Sequence, residues 1–115
     1  MRVKSEVFVR AYLRLCQAAG VPVVIVRRGD ESAGAIFIRI DSLDGSVTLY
    51  GPAPSGLEGS EAERRFVSCF GPRRATMAEA DLYLARQLKF DEDLWIIEIE
   101  DREGRHFLGE SLIGG

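Results

Sequence analysis

The sequence contains few of the residues that build metal and redox centres. In 115 residues there are two cysteines, Cys16 and Cys69, and one histidine, His106. The cysteines lack CxxC spacing, and a disulfide-rich scaffold needs many more of them. We therefore expect two reduced thiols facing the core in a reducing compartment.

Long apolar runs are also missing. The longest uninterrupted one is Val21–Val26, and it contains Pro22. A bilayer-spanning helix needs about 20 apolar residues. Arg10 and Arg14 interrupt the apolar stretch near the N-terminus, which excludes the apolar core of a signal peptide. We expect a soluble, cytoplasmic protein with no membrane partner.

Positive charge is not in excess, since 15 basic residues stand against 18 acidic ones, and the pI is about 5.2. This balance argues against general affinity for nucleic acid or anionic lipid. The charges are unevenly distributed. Residues 1–39 carry seven basic and three acidic side chains, whereas residues 91–115 carry two and eight. The two ends can pair internally, or head to tail with a second copy.

Two segments have helical periodicity. In Ser5–Ala19, Ser5 is predicted to cap the helix, and one apolar face is expected to contain Phe8, Ala11, Tyr12, Leu15, Ala18 and Ala19. In Thr76–Lys89, Thr76 and Glu79 have capping-box spacing.

The rest of the chain is predicted to form strands and turns. The run Val23–Val26 is apolar throughout, so both faces of that strand are expected to be covered. Its loop to the next strand contains Arg28–Asp30, read as a hairpin turn, and Asp44-Gly45 predicts a second turn. In the strand between these turns, Ile36, Ile38 and Ile40 are expected on one face, and Phe37 and Arg39 on the other. A surface loop is predicted over residues 51–63, and the last strand is expected to return as a hairpin within residues 101–108.

These elements predict an α+β fold: an antiparallel five- or six-stranded sheet with two helices on one face, in the order α-β-β-β-β-α-β-β. The length allows a single domain, residues 1–110, with residues 111–115 as a frayed tail.

Three strings of the sequence are similar to a known family. "RRGDESAGAIFI", "TLYGPAP" and "FDEDLWIIEIEDREGRHFL" together resemble short bacterial proteins grouped as domain of unknown function 1491. The resemblance runs from the first helix to about Leu108. It implies a stand-alone bacterial domain of this size, and it carries over no activity, cofactor or catalytic residue.

The acidic C-terminal segment offers one candidate metal site. Glu98 and Glu100 lie two residues apart on a strand, so they share a face about 7 Å apart. The predicted hairpin register places Glu100 opposite His106. Two carboxylates and an imidazole can bind a divalent cation or act as a general acid–base pair. No cofactor is predicted otherwise, and the alternative interpretation is a solvated face with a cross-strand contact.

Arginine pairs offer a second candidate site, for nucleic acid. Each pair places at most one side chain on a given sheet face, so Arg27, Arg64 and Arg73 are the representatives of such a strip. The acidic pI opposes this interpretation, and salt bridges at strand ends are the alternative.

We favour a non-catalytic protein-interaction module. Two short helices are expected to cover one face of the sheet, which leaves an apolar face for a partner. A homodimer through that face is the simplest such arrangement. The candidate interface residues are Val24, Val26, Phe37 and Tyr50.

Overall fold

A computed structural model describes residues 3–54 and 64–113. Most of the predicted 51–63 loop and the terminal Gly114-Gly115 lie outside these residues. The described elements confirm an α+β fold with two helices and five strands. In chain order they are α1 (Ser5–Ala18), β1 (Val23–Arg27), β2 (Ile36–Asp41), β3 (Val47–Pro52), β4 (Phe66–Ser68), α2 (Met77–Phe90) and β5 (Trp95–Glu100), followed by a 3-10 helix (Gly109–Ser111).

The sheet is mixed, so the prediction of a purely antiparallel sheet is wrong. Its order is β1-β5-β2-β3-β4. The last strand, β5, inserts between β1 and β2, where it is antiparallel to β1 and parallel to β2. The parallel pairing arises because α2 carries the chain back across the sheet before β5 begins, and parallel neighbours need such a crossover.

The hairpin predicted at Arg28–Asp30 is consequently wrong as well. Because β5 separates β1 from β2, this segment instead crosses the start of β5. The Asp30 N–H donates to the Asp93 carbonyl at 2.9 Å, and Trp95 Nε1 donates to the Asp30 carbonyl at 2.8 Å. These bonds anchor the β1–β2 connection to the central strand.

No sixth strand follows β5 in the described part of the chain, so the predicted C-terminal hairpin is wrong. Asp101 ends the strand: its carboxylate accepts from the Arg105 N–H at 2.8 Å and from the Arg105 guanidinium at 3.0 Å. Phe107 then has a φ of +58°, a left-handed conformation that no strand contains. Leu112 and Ile113, in the tail predicted to fray, contact Phe66 of β4.

The two helices cover opposite faces of the sheet, which overturns the expectation that both lie on one face. Val9, Tyr12 and Cys16 of α1 pack against Ile36, Ile38 and Ile40. Leu84 of α2 packs against Phe37, Leu49 and Ile96 on the other side. The predicted alternation along β2 is confirmed, and it is the reason for this arrangement, since β2 buries side chains on both faces.

Helix α1 is rotated relative to its predicted orientation. Its buried residues are Ser5, Val9, Tyr12 and Cys16, whereas Leu15 is 51% exposed. Ser5 does not cap the helix: Lys4 holds that position, and Ser5 Oγ donates to the Gly34 carbonyl at 2.6 Å. Apolar residues also occur on the outer face, so the apolar pattern did not define one side.

The capping box at the start of α2 is confirmed. The Glu79 N–H donates to Thr76 Oγ1 at 3.1 Å, and the Thr76 N–H donates to the Glu79 carboxylate at 2.9 Å. Arg73 donates to the same carboxylate at 3.0 Å. The Arg73 guanidinium, assisted by the Thr76 N–H, lowers the pKa of Glu79 from 4.5 to about 2.

This lowered pKa predicts an acid-sensitive contribution to stability. A depressed pKa in the folded state means that the contribution of Glu79 is complete above pH 4.5 and is lost as the pH falls toward about 2. In urea unfolding, the stability difference between the wild type and Glu79→Gln should therefore shrink between about pH 6 and about pH 2. A difference that stays constant over this range would contradict the prediction.

No helix in the described part of the chain has the length and apolar character required to cross a bilayer.

Candidate interaction surface

Strand β1 forms an open edge of the sheet. It pairs with β5, and no other strand in the described residues lies on its outer side. The Glu100 N–H donates to the Pro22 carbonyl at 3.1 Å, and Val24 lies opposite Glu98. Because inward and outward peptide groups alternate along an antiparallel strand, the N–H and C=O groups of Val23 and Ile25 point to the open edge.

Two apolar side chains flank this edge. Val24 is 53% exposed and Val26 is 50% exposed. Val24 lies opposite Glu98, so its side chain is on the same sheet face as α2. Helix α2 packs on the strands farther from this edge. The run Val23–Val26 was expected to be covered on both faces, and that expectation is wrong because β1 is an edge strand rather than a central one.

Opposite charges mark the two ends of the edge. Arg27 is exposed at the C-terminal end of β1, where its Nη2 donates to the Glu92 carbonyl at 2.8 Å. Glu100 is exposed beside Pro22, at the N-terminal end. We call the surface formed by Val24, Val26, Arg27 and Glu100 the β1 edge surface. An antiparallel partner with the same charges would match it at both ends.

The other two predicted interface residues lie elsewhere. Phe37 is 5% exposed and packs beside Tyr83 of α2. Tyr50 is half-buried on the opposite sheet face, because it lies opposite Ile38, and its ring contacts His106. Of the four predicted interface residues, Val24 and Val26 are thus the ones on the open surface.

The structure does not bring the three candidate metal ligands together. Glu98 accepts from Arg39 Nε at 2.6 Å, on the sheet face that α2 covers. His106 lies on the α1 side, where its backbone carbonyl accepts from the Tyr12 hydroxyl. Its Nδ1 accepts from the Leu108 N–H at 2.9 Å, and burial lowers its pKa. Residues 3–54 and 64–113 contain no cluster of three His, Cys, Asp or Glu side chains that could hold a metal ion.

The three candidate nucleic-acid arginines are attached to different parts of the fold. Arg27 is on the β1 edge. Arg64 donates to the Val3 carbonyl near the start of α1, and its guanidinium lies 5.4 Å from the Phe8 ring. Arg73 is paired with Glu79 at the start of α2. They do not form one strip.

Both thiols are free, as expected. Burial raises the pKa of Cys69 to about 11, and it also raises the pKa of Cys16. The protonated thiol is a poor nucleophile, so neither cysteine has the character of a catalytic residue.

An ion-pair cluster under α2 went unpredicted. Arg39 of β2 is 8% exposed, and it binds both Glu98 of β5 and Asp81 of α2. A lone charged residue inside the apolar segment Ile36–Ile40 was the available signal. Its partner becomes evident only from the parallel register that places Arg39 opposite Glu98.

Comparison with known proteins places this fold in a family. The family model described as "Protein of unknown function (DUF1491)" matches residues 3–109. The chain belongs to the DUF1491 family. No curated protein matches it significantly.

Solved structures agree with this membership. A crystal structure of a DUF1491 family protein from Caulobacter crescentus is 30% identical, with a TM-score of 0.79, over 97% of this chain and 98% of that one. The solution structure of protein Atu0922 from A. tumefaciens is 44% identical, with a TM-score of 0.72, over 87% and 86% of the two chains. An NMR structure of a DUF1491 protein from C. crescentus is 33% identical, with a TM-score of 0.77, over 97% of each chain. These relatives carry the family's fold and no stated activity.

Proposed function

We propose that this DUF1491 protein is a non-catalytic interaction module that forms a homodimer through its β1 edge surface. The observation that carries the proposal is the edge of β1, which no other strand of residues 3–54 and 64–113 pairs with, together with the half-exposed Val24 and Val26. Open apolar edges bind further strands, and natural proteins usually cover or charge them. The sequence predicted a whole sheet face without cover; in the structure each face carries a helix, and the proposed interface is limited to the edge strand β1.

The pairing geometry follows from the outward peptide groups. In an antiparallel pair of β1 strands, Val23 of each copy exchanges hydrogen bonds with Ile25 of the other. Val24 then lies on the two-fold axis opposite Val24 of the second copy, a pair of close side chains. The two sheets become one continuous sheet, and the apolar side chains of Val24 and Val26 become less exposed to solvent.

The end charges support the same arrangement. In this register Val26 of one copy lies opposite Pro22 of the other, with Arg27 one residue farther along, and Glu100 neighbours Pro22 on the adjacent strand. Each copy therefore offers its guanidinium to the other's carboxylate at one end of the pair and its carboxylate to the other's guanidinium at the opposite end. The short edge limits the affinity, and we expect a dissociation constant on the order of 10 µM, or about −7 kcal/mol.

The first test uses Val24→Lys, with Leu82→Lys as its matched control. Both parent residues are 53% exposed, but Leu82 is on α2 rather than on β1. Light scattering over a concentration series should show a dimer for the wild type and for Leu82→Lys, and a monomer for Val24→Lys. A monomeric wild type at about 100 µM, or a dimeric Val24→Lys, would exclude this interface.

The second test exchanges the end charges. Arg27→Glu and Glu100→Arg should each weaken the dimer about tenfold, and the double variant should restore most of the affinity. Val7→Lys supplies a further control, because Val7 is 52% exposed on the apolar outer face of α1. Dissociation by Val7→Lys alone would assign self-association to α1 instead.

A further inference from the structure

A second open region lies on the opposite sheet face from Val24. It is a cleft of about 330 Å³, bounded by β3, β4, residues 71–74 and the C-terminal segment. Thr48 and Tyr50 are two residues apart on β3, so their side chains point to the same face. Ser68 of β4 lies opposite Tyr50. Three hydroxyl-bearing side chains of one sheet face therefore line the cleft.

Two buried hydroxyls, one in the lining of the cleft and one behind Gly104, have no hydrogen-bond partner among the described residues. One is Ser68 Oγ, in the cleft wall, and the other is Ser42 Oγ, whose residue is 2% exposed. Ser42 lies beside Gly104, where a Cβ on that glycine would be 3.7 Å from the Ser42 Oγ. Buried polar groups are normally satisfied, so Ser68 Oγ indicates that the cleft holds a polar partner.

Positive charge reaches the same place. Arg74 Nη1 donates to Ser46 Oγ at 3.1 Å and to the exposed Asp44 carboxylate at 3.3 Å, which fixes the guanidinium. Its Nη2 makes no hydrogen bond with the described residues and lies 3.3 Å from the same Cβ position at Gly104. Burial raises the pKa of the Tyr50 hydroxyl and Arg74 opposes this rise, as expected if the guanidinium lies near it. Arg73 also lines the cleft, but both of its terminal nitrogens donate to Glu79.

We propose that this cleft binds a small phosphate monoester. Phosphate oxygens accept hydrogen bonds from guanidinium and hydroxyl groups, which Arg74 Nη2, Tyr50 and Ser68 supply. Gly104 leaves room for the phosphate because it has no side chain. The apolar Leu112 and Ile113 form a wall for the carbon skeleton. The site is independent of the β1 edge surface, which is on the other face.

The test is a titration with ribose 5-phosphate, followed by the backbone amide chemical shifts of Thr48, Ser68 and Gly104. Saturable shifts are expected, with affinity about tenfold higher than for inorganic phosphate. Inorganic phosphate serves as the second arm, and sodium chloride at equal ionic strength controls for screening. Equal binding of inorganic phosphate, or no saturable shift at about 10 mM ester, would overturn the proposal.

Three variants separate binding from structure. Arg74→Gln should weaken ester binding about tenfold, whereas Arg73→Gln should change it less than about threefold because Arg73 is held by Glu79. Ser68→Ala removes an unpartnered hydroxyl, so it should weaken binding without lowering the melting temperature. Wild-type affinity in Arg74→Gln, or an equal loss in Arg73→Gln, would contradict the site.

Discussion

Gly29→Ala is expected to lower the free energy of unfolding by about 3 kcal/mol, among the largest effects of any single substitution in this chain. A Cβ at Gly29 would lie 2.1 Å from the Asp93 carbonyl oxygen, 2.6 Å from the Leu94 carbonyl carbon and 2.7 Å from Trp95 Cδ1. The obstruction is mainly backbone. It cannot move freely, because Asp93 accepts from the Asp30 N–H and Trp95 begins the central strand.

Gly20→Ala is the matched control for this substitution. Gly20 has a φ of +74° and no heavy atom within 4 Å of a Cβ, so its cost is conformational alone, about 1 kcal/mol. Urea unfolding followed by the fluorescence of Trp95 measures both variants. If both variants lose the same free energy of unfolding, the β1–β2 connection can move to accommodate the Cβ, and its close approach to β5 does not constrain residue 29.

Local features of the fold could be predicted from the sequence because their causes are local. The period-two pattern of β2 gave the two faces correctly, and the capping box at Thr76 and Glu79 formed as expected. The Asp44-Gly45 turn joins β2 to β3, with Gly45 at a φ of +90°. Each of these depends on neighbours within a few residues.

The strand order depends on distant residues, and there the predictions failed. Val23–Val26 and Trp95–Ile97 are both continuously apolar, yet the first is an edge and the second is central. The two segments differ only because β5 inserts between β1 and β2, and no local sequence pattern predicts that insertion. The same insertion removed the β1–β2 hairpin and moved Phe37 under α2, away from the candidate interface.

The candidate sites were affected in the same way. Val24 and Val26 are exposed as an interface requires, although the reason is the strand edge rather than an uncovered face. The metal hypothesis relied on a hairpin register, and Arg105 binding Asp101 replaces that hairpin with a tight turn. The phosphate cleft was not foreseen, because Tyr50, Ser68 and Arg74 come from three separated segments.

Arg39→Met is expected to lower the free energy of unfolding by about 3 kcal/mol. Arg39 is 8% exposed, and its Nε donates to Glu98 at 2.6 Å. Removing the guanidinium leaves the Glu98 carboxylate, with a side chain 19% exposed, without its partner under α2. A buried charge without a partner is costlier than the loss of one hydrogen bond.

Two further variants show where the energy resides. Asp81→Ala should cost less than about 1 kcal/mol, because the Asp81 side chain is 63% exposed and its pair with Arg39 is screened by water. The double variant Arg39→Met, Glu98→Leu removes both charges and keeps the apolar volume, so its stability should return to within about 1 kcal/mol of the wild type. Additive losses in the double variant would mean that packing of the Arg39 side chain, rather than its pairing with Glu98, stabilises the β2–β5 contact.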